Sequence, residues 1–262
     1  MARRFVDLSM PISNKVITDP PMAVPIINYA AHHETFPHLA HFFPGLKPED
    51  LPDSEAWAVE SLQLSGHAGT HMDATWHYHS TTDNGARAAP TIDQAPLELF
   101  LRPAVKLDFR HFPDGYVATG ADVEAELARI GHTLQPLEIV LVNTAAGAAY
   151  GSDDFYNKGC GMGAEATLYL TSRGIKVVGT DAWSWDAPFS FTARKFAETG
   201  DTSIIWEGHK AGRIDEYYQM EKLTKLEQLP SSGFELSCFP VKIEGGSAGW
   251  IRAVAIFDEA EG

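Results

Sequence analysis

Cysteine is scarce in this chain of 262 residues: Cys160 and Cys238 stand far apart, with no Cys-x-x-Cys pair. That excludes a disulfide scaffold and leaves two reduced, buried thiols as the expectation. Basic side chains are few as well. Twenty Lys and Arg against 35 Asp and Glu give a formal charge of −15, which repels phosphate backbones and anionic lipid, so neither nucleic acid nor a membrane surface is expected as a partner. No apolar run approaches the roughly 18 residues of a spanning helix. The opening Met-Ala-Arg-Arg-Phe-Val-Asp-Leu-Ser-Met-Pro lacks the apolar stretch of a secretory signal, and a cytoplasmic location is expected. Neither Cys sits in a nucleophile motif, which turns the reading away from covalent catalysis.

Histidine, in contrast, is concentrated. Of eleven in the chain, His67, His71, His77 and His79 fall within one short window. Around it the chain reads as one α/β domain over 1–262, with a mixed central β-sheet flanked by a few helices and a Pro-rich 13–55 segment as a lid or interface loop. Residues 56–65 and 104–109 read as strands. An alternation follows: a helix at 121–129 closed by Gly131, a strand at 139–142, a helix at 164–171 closed by Gly174, and a strand at 175–179. Residues 233–241 and 250–257 read as sheet strands joined through Gly245-Gly246.

On an extended chain His67, Gly69, His71, Asp73, Thr75, His77 and His79 share one parity and one face. Imidazole and carboxylate are ligands for zinc or manganese, whose donors converge to roughly 2.0–2.2 Å from the ion. A straight chain would hold His67 and His71 roughly 13 Å apart, so it must bend, and Gly66 and Gly69 permit the bend. His67, His71 and Asp73 are then a three-ligand set with coordination positions left open. His77 lies just beyond it, free to move protons, and His79 reads as a bystander. His32, His33, His38 and His41 form a looser group read as solvated or lid positions.

His67-Ala68-Gly69-Thr70-His71-Met72-Asp73-Ala74-Thr75-Trp76-His77 resembles the HxGTHxDxPxH signature of the cyclase family of metal-dependent hydrolases, which includes bacterial kynurenine formamidase and isatin hydrolase. Thr75 departs from the family's Pro. Val6-Asp7-Leu8-Ser9, Val178-Gly179-Thr180-Asp181-Ala182 with Ser184 and Asp186, Gly208-His209, Met220-Glu221-Lys222-Leu223, and Pro240 to Gly246 with Arg252 to Ala255 are similar to further family segments. The resemblance implies a swivelling β/β/α-like fold and a divalent metal, Zn or Mn, on His67, His71 and Asp73. It implies His77 as the proton-transfer residue, and His209 and Glu221, with Asp73 bridging, as ligands of a second ion in binuclear members. A helix over 220–226 would make Glu221 an ordinary surface acid instead, and one ion or two stays open. The resemblance further implies a homodimer or homotetramer.

Where many members carry Arg-Thr-Gly-Trp this chain has Asn143-Thr144-Ala145-Ala146, and it adds Trp183 and Trp185 around Ser184. With Trp76 these give an expected substrate wall of Asn143, Trp76, Trp183 and Trp185, suited to a flat aromatic or cyclic small molecule. The activity implied is hydrolysis of an amide, lactam, formamide or lactone by metal-activated water. The alternatives are a non-catalytic metal-binding protein of the same fold and a lyase or cyclase.

Overall fold

Short runs of aliphatic residues supply the middle of a nine-stranded mixed sheet in the computed structural model, which describes residues 2–16 and 18–258. Its strands are β1 (Arg3–Asp7), β2 (His71–Asp73), β3 (Leu101–Asp108), β4 (Ile139–Asn143), β5 (Val177–Thr180), β6 (Tyr218–Glu221), β7 (Phe234–Ser237), β8 (Ala248–Trp250) and β9 (Val254–Asp258). Their order is β1-β9-β7-β3-β4-β5-β6-β2-β8. The run β3-β4-β5-β6 is parallel and every other pairing is antiparallel. Strands buried on both faces read as unbroken apolar runs, and β4 is such a run: Ile139 and Leu141 enter one core cluster, Val140 and Val142 the other.

Helices α3 (Gly120–Ile130) and α4 (Ala164–Thr171) cover the second of those faces through Val123, Leu127, Ala166 and Leu170. Thr119 and Asp122 form a capping box at the start of α3, and Gly131, at φ 66°, ends it in the left-handed conformation. The first cluster fills the inside of the curled sheet. Only Ile251, Arg252 and Ala253 separate β8 from β9, although the two strands lie toward opposite ends of the strand order. The sheet must therefore curl round on itself. Leu8 N–H bonds Ala253 O, and Thr224 N–H bonds Leu8 O, across the closure.

The C-terminal expectation is corrected here. The segment 250–257 is not one strand but the end of β8 and most of β9, broken at Ile251 to Ala253 where the chain crosses from one sheet edge to the other. The remaining helices are α1 (Phe36–Phe42), α2 (Thr75–Tyr78), α5 (Phe189–Thr199) and α6 (Glu207–Lys210). Outside the sheet, residues Ile26–Ala30 and Val59–Gln63 pair as an antiparallel two-stranded ribbon. Cys160 and Cys238 are free and buried, and burial pushes the Cys160 thiol up to about 12. Among the described residues no helix is long and apolar enough to cross a membrane.

Candidate metal centre

The register of β2 against β6 builds the site. Asp73 lies opposite Gln219, Met72 opposite Met220 and His71 opposite Glu221. Alternate side chains on paired strands share a face, so Met72 and Met220 enter the core while His71, Asp73, Gln219 and Glu221 form one polar quartet on the other side. Glu221 is thus a buried strand residue, and the helical reading of 220–226 does not hold: Met220 pairs with Gly179 of β5 on one side and with Met72 of β2 on the other.

The histidine window is extended only over β2. Upstream the chain bends at Gly69, whose φ of 61° favours glycine. Thr70 Oγ1 fixes the bend by donating to Lys222 O at 2.6 Å and accepting Met10 N–H at 2.9 Å. Downstream, α2 replaces the extended parity by one helical turn. Thr75, in the family's Pro position, opens it, and its hydroxyl donates to Tyr217 O at 2.8 Å. The turn brings the His77 ring to 4.1 Å from His67 and 5.7 Å from His209. It rotates Trp76 away: that ring is 44% exposed and does not line the cavity beside the histidines.

The ligand-type atoms converge. Asp73 Oδ1 is 2.8 Å from His67 Nδ1 and 3.2 Å from His71 Nε2, and His71 Nε2 is 3.6 Å from Glu221 Oε2. These contacts lack hydrogen-bond geometry: His71 Nε2 and Asp73 Oδ1 are both buried and unpartnered. Buried polar atoms in native proteins are normally satisfied. Two nitrogens crowding one carboxylate oxygen with no proper bond is the arrangement of donors that share a cation, and the residues present fit a divalent metal. His71 is oriented through its other nitrogen, Nδ1, which contacts Gly69 O at 2.9 Å. Against the desolvation of complete burial, His71 and His67 hold the Asp73 carboxyl well below the usual range. Burial lowers the His77 pKa to about 4, which keeps that imidazole neutral.

His209, on α6, comes in from the other side. Gly208 and His209 backbone N–H groups donate to Asp186, and His209 Nδ1 bonds the same carboxylate. Desolvation opposes a charge on this ring, whereas the Asp186 and Glu221 carboxylates favour one. Gln219 Nε2, 2.7 Å from His209 Nε2, works against a proton there, because that nitrogen must accept if the amide is to donate. Trp206 stacks on His209 with ring centroids 4.5 Å apart.

A cavity of about 270 Å³ opens onto these groups, lined by His67, His71, His77, His209 and Glu221 with Trp183, Trp206 and Phe189. Trp183 thus takes the expected wall position, whereas Trp185 and Asn143 do not. Trp185 is 1% exposed in the core, its indole N–H donating to Thr167 Oγ1 at 3.0 Å and its backbone N–H to Glu221 Oε1 at 2.9 Å. Asn143 lines a separate cavity with Arg110 and Lys225, and its amide donates to Asp181 Oδ2 at 2.6 Å. Gln219, Trp206, Asp186 as the partner of His209, and the buried Lys222–Asp19 pair went unread in the sequence as parts of the site. Tyr218-Gln219-Met220-Glu221 taken as a strand would have revealed Gln219, on the same face as Glu221.

Comparisons with known proteins bear on this geometry. The kynurenine formamidase of Salinibacter ruber is 28% identical over 206 residues, 77% of this chain and 81% of that protein. That of Bordetella pertussis is 28% identical over 220 residues, 79% of this chain and 89% of the relative. Among solved structures, isatin hydrolase A from Ralstonia solanacearum has the same fold, with a TM-score of 0.75 at 22% identity, covering 98% of this chain and 92% of the other. The model of the Cyclase family matches residues 6–187, a span that contains His67, His71, Asp73 and His77 and stops short of His209 and Glu221. With more than half of its length matched, the chain belongs to the cyclase family.

Proposed function

We propose that this protein is a metal-dependent hydrolase that opens a C–N bond in a small amide, formamide or lactam carried on an aromatic or cyclic framework. The observation that carries the reading is the pair of unpartnered buried atoms, His71 Nε2 and Asp73 Oδ1, among four further ligand-type side chains facing one cavity. His67, His71 and Asp73 would hold the ion, with Glu221 across from them. Nitrogen and carboxylate oxygen donors suit zinc or manganese. When bound, such an ion lowers the pKa of a water and polarises a carbonyl, bringing hydrolysis within reach at neutral pH.

The chain's own groups do the rest. His77 accepts the proton of the attacking water and returns it to the leaving nitrogen. Trp183, Trp206 and Phe189 offer flat apolar walls to a planar substrate. Kynurenine formamidase and isatin hydrolase relatives support this substrate class. The two-stranded ribbon exposes apolar side chains on both faces, Ile26 and Val59 on one and Tyr29 and Leu62 on the other, which supports association into a homodimer or homotetramer.

The test is a metal assay joined to a hydrolysis screen on aryl formamides, isatin, lactones and imides. The expected result is bound metal and a product heavier than the substrate by one water. Bound metal with no turnover on any of them would favour a metal-carrying protein, and a product of unchanged mass would favour a cyclisation reaction.

A further inference from the structure

Gln219 occupies the place a second cation would need. Its Nε2 lies 2.7 Å from His209 Nε2, 2.9 Å from Glu221 Oε1 and 3.2 Å from Asp73 Oδ2. Those three atoms belong to the residues that the family resemblance gives to the second ion. Each carboxylate is divided between two environments. Asp73 Oδ1 and Glu221 Oε2 face His71 Nε2, while Asp73 Oδ2 and Glu221 Oε1 face the amide.

With a single proton for Gln219 Oε1 and Gly208 O, each 2.9 Å away, the Tyr217 hydroxyl does not decide the orientation of the amide; the carboxylates do. Reversed, the amide would set a carbonyl oxygen against two carboxylate oxygens, which repel it, so the nitrogen must point into the cluster. The side chain is also held in place: Gln219 is fully buried, and Tyr217 is stacked on Tyr78 at 4.9 Å.

We infer that Gln219 is a positioning residue that closes the second-cation site, substituting amide hydrogen bonds for metal bonds and limiting this protein to one divalent ion per chain. That ion belongs to the other pole, on His67, His71 and Asp73. Gln219 fixes the orientation of Asp73 and Glu221 toward it and keeps His209 as an acceptor rather than a ligand. The inference rests on the metal-dependent reading above, and its test separates the two.

The protein is purified, exposed to excess Mn²⁺, desalted and assayed for metal per chain, alongside Gln219→Ala and Gln219→Glu. Wild type is expected to hold one ion and give the electron paramagnetic resonance spectrum of isolated Mn²⁺. Gln219→Glu, which keeps the shape and adds an anionic oxygen, is expected to double the metal content and give the spectrum of an exchange-coupled pair. Gln219→Ala, which empties the position, is expected to take up the second ion more weakly. Two ions in wild type would overturn the inference, as would a single uncoupled ion in Gln219→Glu with wild-type melting behaviour. Should Gln219→Ala fail to fold, the Glu variant decides alone. A wild-type protein that binds no metal would instead defeat the metal-dependent reading itself.

Discussion

Stripping the metal should lower the melting temperature by an amount the site geometry sets. His71 Nε2 and Asp73 Oδ1 are buried and lack hydrogen-bond partners. An unsatisfied buried polar atom costs about 1–3 kcal/mol, so the pair carries roughly 2–6 kcal/mol that a cation relieves. An ion at about a thousand times its dissociation constant stabilises by about 4 kcal/mol, within the same range. For a protein of this size 1 kcal/mol moves the melting temperature by about 2–4 °C. Chelation should therefore lower it by roughly 4–24 °C, and restoring the ion should return it. The assay is circular-dichroism melting with the metal content of the same samples measured in parallel. Asp73→Asn, which loses an anionic ligand, should bind little metal and show almost no chelator shift. A chelated sample shown to be metal-free yet melting within about 2 °C of the untreated protein would refute the reasoning, because those two atoms would then need no cation.

His77→Ala should keep its metal while kcat falls by about 10²–10⁴; loss of the ion would place His77 among the ligands, and an unchanged rate would remove it from the chemistry. Gly208→Ala should destabilise by about 1–3 kcal/mol, because the added Cβ would lie 2.3 Å from Met162 O and 3.2 Å from Asp186 Oδ2; an unchanged denaturation midpoint would contradict this. Asp181 titrates from a folded pKa raised by burial to about 7, although Asn143 and Thr144 hydrogen bonds favour its charge, against an unfolded value of 3.8. The folded state keeps a proton that the unfolded state loses, so this contribution is complete below about pH 4 and disappears as pH rises through about 7. Asp181→Asn should flatten the stability–pH curve over that interval, and parallel wild-type and variant curves in urea denaturation would disprove it.

The sequence exposes what is local and hides what is set by pairing. Helix α3 is legible because Thr119, Asp122 and Gly131 mark its two ends within a few residues, and β4 because an unbroken aliphatic run admits little else. The bend between His67 and His71 follows from Gly69, whose positive φ the structure shows. The helical turn at Thr75–Tyr78 was not legible: alternating parity is a sound rule only while the chain stays extended, and here it ceases immediately after Asp73. Trp76 therefore faces outward. Gln219 escaped notice for another reason, since its role depends on lying opposite Asp73, which no local pattern around either residue encodes. Trp185 and Asn143 failed as wall residues because nearness in sequence to Ser184 or to a strand end does not decide which side of a loop a side chain takes.

The remaining wall of the cavity shows how a ligand strand can organise more than its ligand. Lys222 follows Glu221 directly and adopts a φ of 59°, a conformation rare for a residue with a side chain. The turn directs its buried ammonium group to Asp19 and to His67 O, the latter at 2.9 Å. Asp19 Oδ1 also accepts the indole N–H of Trp183 at 3.0 Å. One cation thus joins the carbonyl of a candidate ligand, a carboxylate from the N-terminal segment and, through that carboxylate, an aromatic wall. Removing either member of a buried ion pair typically costs 3–5 kcal/mol because the other charge is left uncompensated, so local strain at Lys222 is outweighed by what the pair secures. The backbone that carries Glu221 into the cluster therefore also fixes the position of His67 and of Trp183, and ligand geometry and cavity shape are set by the same two residues of β6 and its exit.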